Sequence, residues 1–428
     1  MNIIVHGGNN QIGGNCIEIA GEKARLLFDI GAPLGRDLPK FEEKPAKEQW
    51  QSWFEEGLLP ELQGLYAWEE PEFKAVFISH THVDHVGLAS WVHPDIPIRM
   101  SRLSRDLLVG RLEELRKSKE SALNVQCFSD AKPVEIGGIK ITPYRVDHSA
   151  LDAHAFLIQG EGKNILYTGD FRGHGRNAQW TEVMLTKLPS SVDAVIMEGT
   201  NLGRTVVSVE EEQIEAAVCN QCEKTKGLVM GLVSTQHFDR ILSFFHAALN
   251  TGRTLVIDPY QAHMLDIAGS ETKEAMKQGR VKVLYSYRTS KALADSGHKK
   301  ILYRYKNYKL AKADLKQNPH KYVLLVRSSM LQELEELELD DSSCLVYSMW
   351  RGYKEQPEMA KLLGFCEKKR VPVVDKHTSG HADIDTLLKV IKHCNPGMVI
   401  PVHTDCEAEF CQYDVKTVLP LRGKPISI

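Results

Sequence analysis

The sequence predicts an α/β protein in which a first domain is interrupted by a second. Three observations carry that reading. Short apolar runs bounded by Gly, Asn and Asp recur through the first 200 residues. From about residue 205 such runs alternate with helical segments, and after about 370 the texture of the first half returns.

In chain order, "MNIIV", "CIEIA", "ARLLFDI" and "FKAVFIS" read as strands, followed by "IKITPYRV", "AHAFLIQ", "NILYTGD" and "DAVIMEG". Residues 33–70 carry several Trp and Glu and read as a helical excursion. Residues 101–119 read as an amphipathic helix, because Leu103, Leu107, Leu108, Leu112 and Leu115 recur at helical spacing. Ser208, just ahead of an acidic run, has the position of a helix start. "LVMGLVS", "TLVIDP", "VKVLYS", "YVLLVR" and "CLVYSM" then alternate with helices, the pattern of βα units around a largely parallel sheet. "VPVVDKHTSGHAD" and "GMVIPVHTDC" restore the strand-then-histidine pattern. The expected boundaries are 1–204 and 371–428 for the interrupted domain and 205–370 for the insert.

Composition sets limits on function. A chain of 428 residues is long for one core. A formal net charge of −3 excludes global electrostatic capture of nucleic acid or membrane, so attraction to a polyanion must be local. The start, "MNIIVHGGNN", lacks the pattern of a signal peptide, and no apolar run is long enough to span a bilayer. Nine cysteines, an odd number, follow no framework spacing, which points to free thiols in a reducing cytoplasm.

The specific signal is "FISHTHVDHVGL", which places His80, His82, Asp84 and His85 directly behind an apolar run. A polar cap on a buried strand would need one such residue. In a strand, residues two apart share a side, so His80 and His82 face one point while Asp84 and His85 swing toward a neighbouring one. Two adjacent cations are the natural reading, with zinc first and manganese or iron as competitors. Further ligands should end other strands, and His148, Asp170 and His403 each follow an apolar run.

His80-Thr-His82-Val-Asp84-His85 resembles the H-x-H-x-D-H signature of the metallo-β-lactamase superfamily, and Asp29, His148 and Asp170 match its other motifs in order. The resemblance implies an αββα sandwich with a dinuclear zinc site between the sheets. It puts one zinc on His80, His82, His148 and Asp170 and the other on Asp84, His85, Asp170 and His403. Asp29 would orient ligands from behind. Glu198 before the insert, with His381 and His403 after it, resembles the β-CASP group of nucleic-acid hydrolases, and a final histidine leans toward its RNA-processing members. "GGNNQIGGNCIEI" and "VSTQHFDRILSFFHAALNTGRTLVIDPYQA" resemble ribonuclease J-like proteins. The sequence shows neither the extra C-terminal domain of full ribonuclease J nor the N-terminal RNA-binding modules of archaeal relatives, so a minimal member is expected.

The expected activity is a metal-dependent phosphodiester hydrolase acting on RNA. A hydroxide bridging two zinc ions, held in part by Asp84, would attack phosphorus, and His381, oriented by Glu198, would protonate the leaving 3′-oxygen. The resemblance implies 5′-phosphate and 3′-hydroxyl products. Alternatives are a DNA or small-nucleotide phosphodiesterase on the same scaffold, or a non-catalytic nucleic-acid-binding partner.

Residues 288–321 hold ten Lys/Arg against two acidic residues, with Tyr303, Tyr305 and Tyr308 interleaved. Such a strip suits single-stranded RNA, although a solvated helical face explains it equally well. Phosphate contacts nearer the metals are expected from Ser379, Arg172, Arg176, Ser234 and Thr235, whereas His174 reads as a local hydrogen-bonding residue. The glycines of "HGGNNQIGGN" read as tight turns beside the site, not as a phosphate loop. Single-stranded RNA is the expected partner, a membrane is not, and self-association stays open.

Overall fold

The computed structural model describes residues 1–40, 42, 44–111, 123–204 and 208–428. The chain divides into two compact units. The first comprises Met1–Arg105, Glu120–Val206 and Gly380–Ile428, and the second Asp106–Lys119 and Val207–Ser379. The expected junction at 204/205 adjoins residues 205–207, which lie outside the described residues.

In chain order the strands of the first unit are β1 (Asn2–Gly7), β2 (Cys16–Ala20), β3 (Arg25–Phe28), β4 (Ala75–Phe77), β5 (Ile98–Ser101), β6 (Val125–Phe128), β7 (Val134–Ile136), β8 (Ile139–Val146), β9 (Ala153–Gly160), β10 (Lys163–Tyr167) and β11 (Ala194–Glu198). The second unit supplies β12 (Val229–Leu232), β13 (Thr254–Ile257), β14 (Val281–Val283), β15 (Tyr322–Val326), β16 (Cys344–Tyr347) and β17 (Val373–Asp375). The chain then returns to the first unit for β18 (Val399–Val402) and β19 (Pro425–Ser427).

The first unit is a sandwich of a seven-stranded sheet, β19-β1-β2-β3-β4-β5-β6, and a six-stranded sheet, β18-β11-β10-β9-β8-β7. In β1 the alternation of side chains sends Ile3 and Val5 inward, where they meet Ile139, Ile158 and Ile165 of the other sheet in one core. Its centre is aromatic. Phe28 stacks on Phe77 at 5.3 Å and meets Phe156 edge-on at 5.4 Å. Each such pair adds about 0.5–1.5 kcal/mol beyond area burial.

The outer face of the six-stranded sheet buries Leu157, Leu166 and Val195 against helices Ala178–Lys187 and Ile384–Cys394. The second helix forms because Leu387, Val390, Ile391 and Cys394 make one buried stripe. It starts at Asp383, whose carboxylate accepts the Thr386 N–H at 2.9 Å, and stops at the left-handed Asn395. The second unit is built on an all-parallel sheet, β14-β13-β15-β12-β16-β17. Strands β12 and β16 are buried at every position, as a sheet covered on both faces requires.

Several elements differ from the sequence reading. Strands β5, β6, β7 and β19 are absent from it; β6, β7 and β19 expose at least one residue each, and polar Arg99 interrupts β5, so none is a clean apolar run. Among its described residues the excursion at 33–70 holds one helix, Lys47–Glu55. Trp53 of that helix meets Trp91 and Trp68 edge-on, and Tyr66 stacks on Trp68 at 4.8 Å. The helix read over 101–119 is described only as Arg102–Gly110; Ser101 belongs to β5, and Leu112 and Leu115 lie outside the described residues. Ser208 does not cap the next helix, Glu211–Lys224, whose N-cap position is Glu210. Among the described residues no helix is long and apolar enough to cross a membrane, and all nine cysteines are free.

Candidate metal centre

The dense motif begins just past β4. His82 is the N-cap of a one-turn helix, Val83–Val86, so Asp84 and His85 sit on a helical turn rather than a simple loop. His148, Asp170 and His403 lie one to three residues past the ends of β8, β10 and β18. The fold brings all of them together. His80, His82, His148 and Asp170 present ligand atoms within 4.8 Å of one another, and so do Asp84, His85 and His403. Asp170 lies between the groups, its Oδ2 3.1 Å from His85 Nε2, 3.6 Å from His403 Nε2 and 3.8 Å from His80 Nε2.

The histidines are oriented from behind. His148 Nδ1 lies 2.6 Å from the Gly380 carbonyl, His85 Nδ1 2.8 Å from Asp29 Oδ2, His403 Nδ1 2.7 Å from Thr200 Oγ1 and His80 Nδ1 3.0 Å from Ser79 Oγ. Engaging Nδ1 leaves Nε2 as the inward atom in each ring. His82 is the exception, with Nδ1 facing His148 Nε2 at 3.1 Å.

Asp29 is itself tightly held. It is fully buried, has a left-handed φ of 58°, and accepts from the Ser79 N–H and Oγ–H at 2.7 Å each and from the Tyr167 hydroxyl at 2.6 Å. His403 is also left-handed, at φ 53°, and its N–H donates to the Gly8 carbonyl at 2.7 Å. Two non-glycine residues with positive φ beside one cluster is backbone strain stored at a site. The early glycines do serve as spacers: a Cβ on Gly13 would come within 2.9 Å of the Asp84 Cβ.

Charge states follow from this packing. Burial, reinforced by the neighbouring imidazoles, holds His80 and His148 well below the usual histidine range, and burial takes His82 down to about 4. These rings are neutral, with lone pairs to offer. Burial opposes charge on Asp170 and Asp84, but the facing histidines outweigh it and keep both carboxylates ionised. Burial likewise opposes charge on His85, where Asp170 and Asp29 prevail and raise it well above the usual range.

Among the described residues, His80 Nε2 and Asp170 Oδ1 are buried without a hydrogen-bond partner, and the only close approach to Asp170 Oδ2, from His85 Nε2 at 3.1 Å, is poorly directed. Leaving such atoms unsatisfied costs about 1–3 kcal/mol each. A donor set in which His80, His82 and His148 are neutral and Asp84 and Asp170 ionised fits divalent cations with nitrogen and oxygen ligands, and a bound cation would displace the proton that His85 otherwise carries.

Beside this cluster His381 Nδ1 lies 3.1 Å from Glu198 Oε2 and 3.2 Å from Thr200 Oγ1. Asp170, Glu198, His381 and His403 are also close enough to share a cation. Glu198, however, already accepts N–H bonds from Phe171 at 3.0 Å, Thr200 at 3.3 Å and Ala382 at 3.4 Å, so it is a holder of this loop rather than a free ligand. Burial opposes charge on His381, but Glu198 and Asp170 raise it to about 9.

Four residues of this constellation escaped the sequence reading: Ser79, Tyr167, Thr200 and Asn201, whose amide donates to the His381 and Ala382 carbonyls at 3.1 and 2.9 Å. The available signals were a hydroxyl ending the buried run of β10 and the polar pair two residues past β11.

The expected phosphate contacts fare less well. Arg172 is fully buried, its Nε 3.3 Å from Asp147 Oδ2, and so is a structural cation rather than a substrate contact. Arg176 is half-buried in the same loop, and His174 is buried outside the metal-capable groups. In the second unit, Ser234 is exposed and Thr235 half-buried after β12, and Ser379 is half-buried. Of the three tyrosines in the basic strip Tyr303 is exposed and Tyr308 half-buried, whereas Tyr305 is buried and donates to Asp266 at 3.0 Å. The acidic run that follows pairs with the strip, Lys312 with Glu336 at 2.8 Å and Lys316 with Glu338 at 2.5 Å, which reduces its local charge.

Residues 50–217 match the β-lactamase superfamily domain, and residues 370–412 match the Zn-dependent metallo-hydrolase RNA specificity domain. The chain thus carries a stretch similar to the β-lactamase superfamily domain, and the relatives it resembles are ribonuclease J-like. Ribonuclease J of Mycoplasma genitalium is 24% identical over 262 residues, covering 60% of this chain and 43% of that protein. An RNase J-like protein of Methanocaldococcus jannaschii is 25% identical over 210 residues, 46% of this chain and 41% of its own length. The chain thus spans less than half the length of these curated relatives. A crystal structure of a protein of unknown function from Enterococcus faecalis shares the fold, with a TM-score of 0.81, 22% identity and 99% coverage of both chains.

Proposed function

We propose that this protein is a metal-dependent phosphodiesterase that cleaves RNA. The observation that carries the reading is the convergence of orphaned, ionised Asp170 and neutral histidines on one point, with a separate charged imidazole, His381, beside it. His80, His82, His148 and Asp170 would hold one zinc ion and Asp84, His85, Asp170 and His403 a second, with manganese as an alternative. When bound, such cations supply Lewis acidity, activating water and offsetting charge at phosphoryl oxygens.

The chain's own residues do the rest. Glu198 and Thr200 engage Nδ1 of His381, which leaves Nε2 as the atom that carries a proton to the departing 3′-oxygen. Nearby cations would lower the His381 pKa from about 9 toward neutrality, where a general acid both holds and releases its proton. Asp29, anchored by Ser79 and Tyr167, keeps His85 in its ligating orientation. Free thiols at all nine cysteines support work in a reducing cytoplasm. RNA is favoured as substrate by the RNA-specificity match over the segment that contains His381 and His403.

The test compares wild type and His381→Ala on a 5′-labelled single-stranded RNA and its DNA equivalent, with zinc or manganese and with chelator. Chelator-sensitive RNA cleavage that collapses in the variant is the expected result. Equal cutting of both polymers would replace it with a general nuclease. No cleavage by metal-loaded protein would favour a small-nucleotide phosphodiesterase or a binding partner.

A further inference from the structure

We propose a second ligand site, for a nucleoside monophosphate unit, at the carboxyl edge of the parallel sheet in the second unit. It goes beyond the phosphodiesterase reading and stands without it. The sheet has a topological switch there: β13 continues to its neighbour β14, whereas β15, on the other flank of β13, continues across to β16. Open α/β sheets bind ligands outside the carboxyl ends of strands at such a point.

A cavity of about 240 Å³ opens at this edge. Tyr287 and Arg288 line it from the segment after β14, Ser328, Ser329 and Glu333 from the segment after β15, and Lys361 from helix Pro357–Lys368. The chemistry is mixed in a particular way. The Tyr287 ring is 63% exposed, with Lys291 Nζ 5.9 Å from its centroid, and a large exposed ring next to cations is a stacking platform for a base. Arg288 and Lys361 are exposed cations at the same opening; Glu358, also on the wall, pairs with Lys361 at 2.8 Å, a carboxylate whose place a bound phosphate would take, and the two serine hydroxyls add donors.

Glu333 explains why the ligand is not simply an anion. It is 4% exposed, and its Oε1 accepts the Tyr287 N–H at 2.6 Å, which fixes the platform. A buried carboxylate on the wall repels a bare phosphate and favours a ligand that brings hydroxyl or N–H donors, as ribose and bases do. A ring to stack, cations for phosphate and a carboxylate for hydroxyls together describe one nucleotide.

Two sources share this chemistry, a free mononucleotide and one unit of a longer strand. The experiment uses the full chain in chelator, so that nothing is cleaved, and titrates adenosine 5′-monophosphate and a short single-stranded RNA by calorimetry or fluorescence anisotropy. Tyr287→Ala and Lys361→Ala are compared with wild type, folding being checked by thermal melting; both positions are exposed, so both should fold. Mononucleotide binding that weakens at least tenfold in both variants is expected for a free-nucleotide site. Weakening of RNA binding alone supports a strand subsite. Unchanged affinity for both ligands, or no binding of either by wild type, overturns the proposal. His381→Ala should bind as wild type does, so a failed cleavage assay leaves this site independently testable.

Discussion

Nδ1 of His381 lies 3.1 Å from one oxygen of Glu198 and 3.3 Å from the other, and Glu198 is fully buried at the end of β11. The two residues are 183 positions apart. Glu198→Gln keeps the shape and removes the charge that counters burial in raising His381 to about 9. The His381 pKa should then fall. A general acid must be protonated, so activity is lost as pH rises through its pKa, and in the variant that loss should begin at lower pH. A pH–rate profile of kcat checks this, with a 10²–10⁴-fold fall expected if proton donation itself is lost.

Asp29→Ala removes the acceptor that orients His85 and should weaken metal binding by about 10–100-fold, measured by chelator competition. Tyr167→Phe deletes one of three donors to Asp29 other than the histidine and should give a smaller fall.

The metal-free protein should be acid-labile. His82 titrates at about 4 when folded and near 6.5 unfolded, and His80 and His148 are shifted the same way. Between those values the unfolded chain binds more protons, so stability falls as pH drops from about 6.5 toward 4. Depressed Asp84 and Asp170 extend the loss to lower pH. The raised His381 acts in the opposite sense: its contribution is full below about 6.5 and is lost as pH rises toward 9. Melting temperature against pH, with and without zinc, checks both limbs, and zinc should raise it wherever it binds only the folded state.

Gly31 supports the site by what it lacks. A Cβ there would sit 1.6 Å from the Asp84 carbonyl oxygen, so Gly31→Ala must displace the Asp84 turn and should destabilise by about 1–3 kcal/mol or more while lowering metal content. Gly364→Ala, at an exposed position of helix Pro357–Lys368 with open space around it, should instead stabilise by about 0.5–1 kcal/mol. Denaturant titration of the two variants gives the contrast.

In the second unit Arg240 is fully buried and grips Glu211 at 2.6 and 3.1 Å and Ser348 Oγ at 2.6 Å. Arg240→Met removes the guanidinium that pairs with buried Glu211 and should cost about 3–5 kcal/mol. The double variant with Glu211→Met should recover part of that, measured by a double-mutant cycle.

Much of the fold was legible because its buried strands are apolar runs bounded by turn residues, and every run read as a strand contains one. The short β5, β6, β7 and β19 carry too little pattern; the seven-stranded sheet stabilises them by pairing with β4 and β1, and the six-stranded sheet does so through β8. The excursion at 33–70 was legible only in part: Trp50 and Trp53 do lie on a helix, but they and Trp68 and Tyr66 also serve one aromatic cluster.

The sequence by itself determined which side chains compete for a cation, because metal-capable residues at the ends of apolar runs are a local pattern. Tertiary structure decided what each of them can do. It selects the ring nitrogen facing inward, through partners such as Gly380, 232 positions from His148, and Thr200, 203 positions from His403. It also turned Arg172 inward onto Asp147 and set Glu336 and Glu338 against the basic strip. Tautomer, burial and charge pairing all depend on neighbours that only the folded chain supplies.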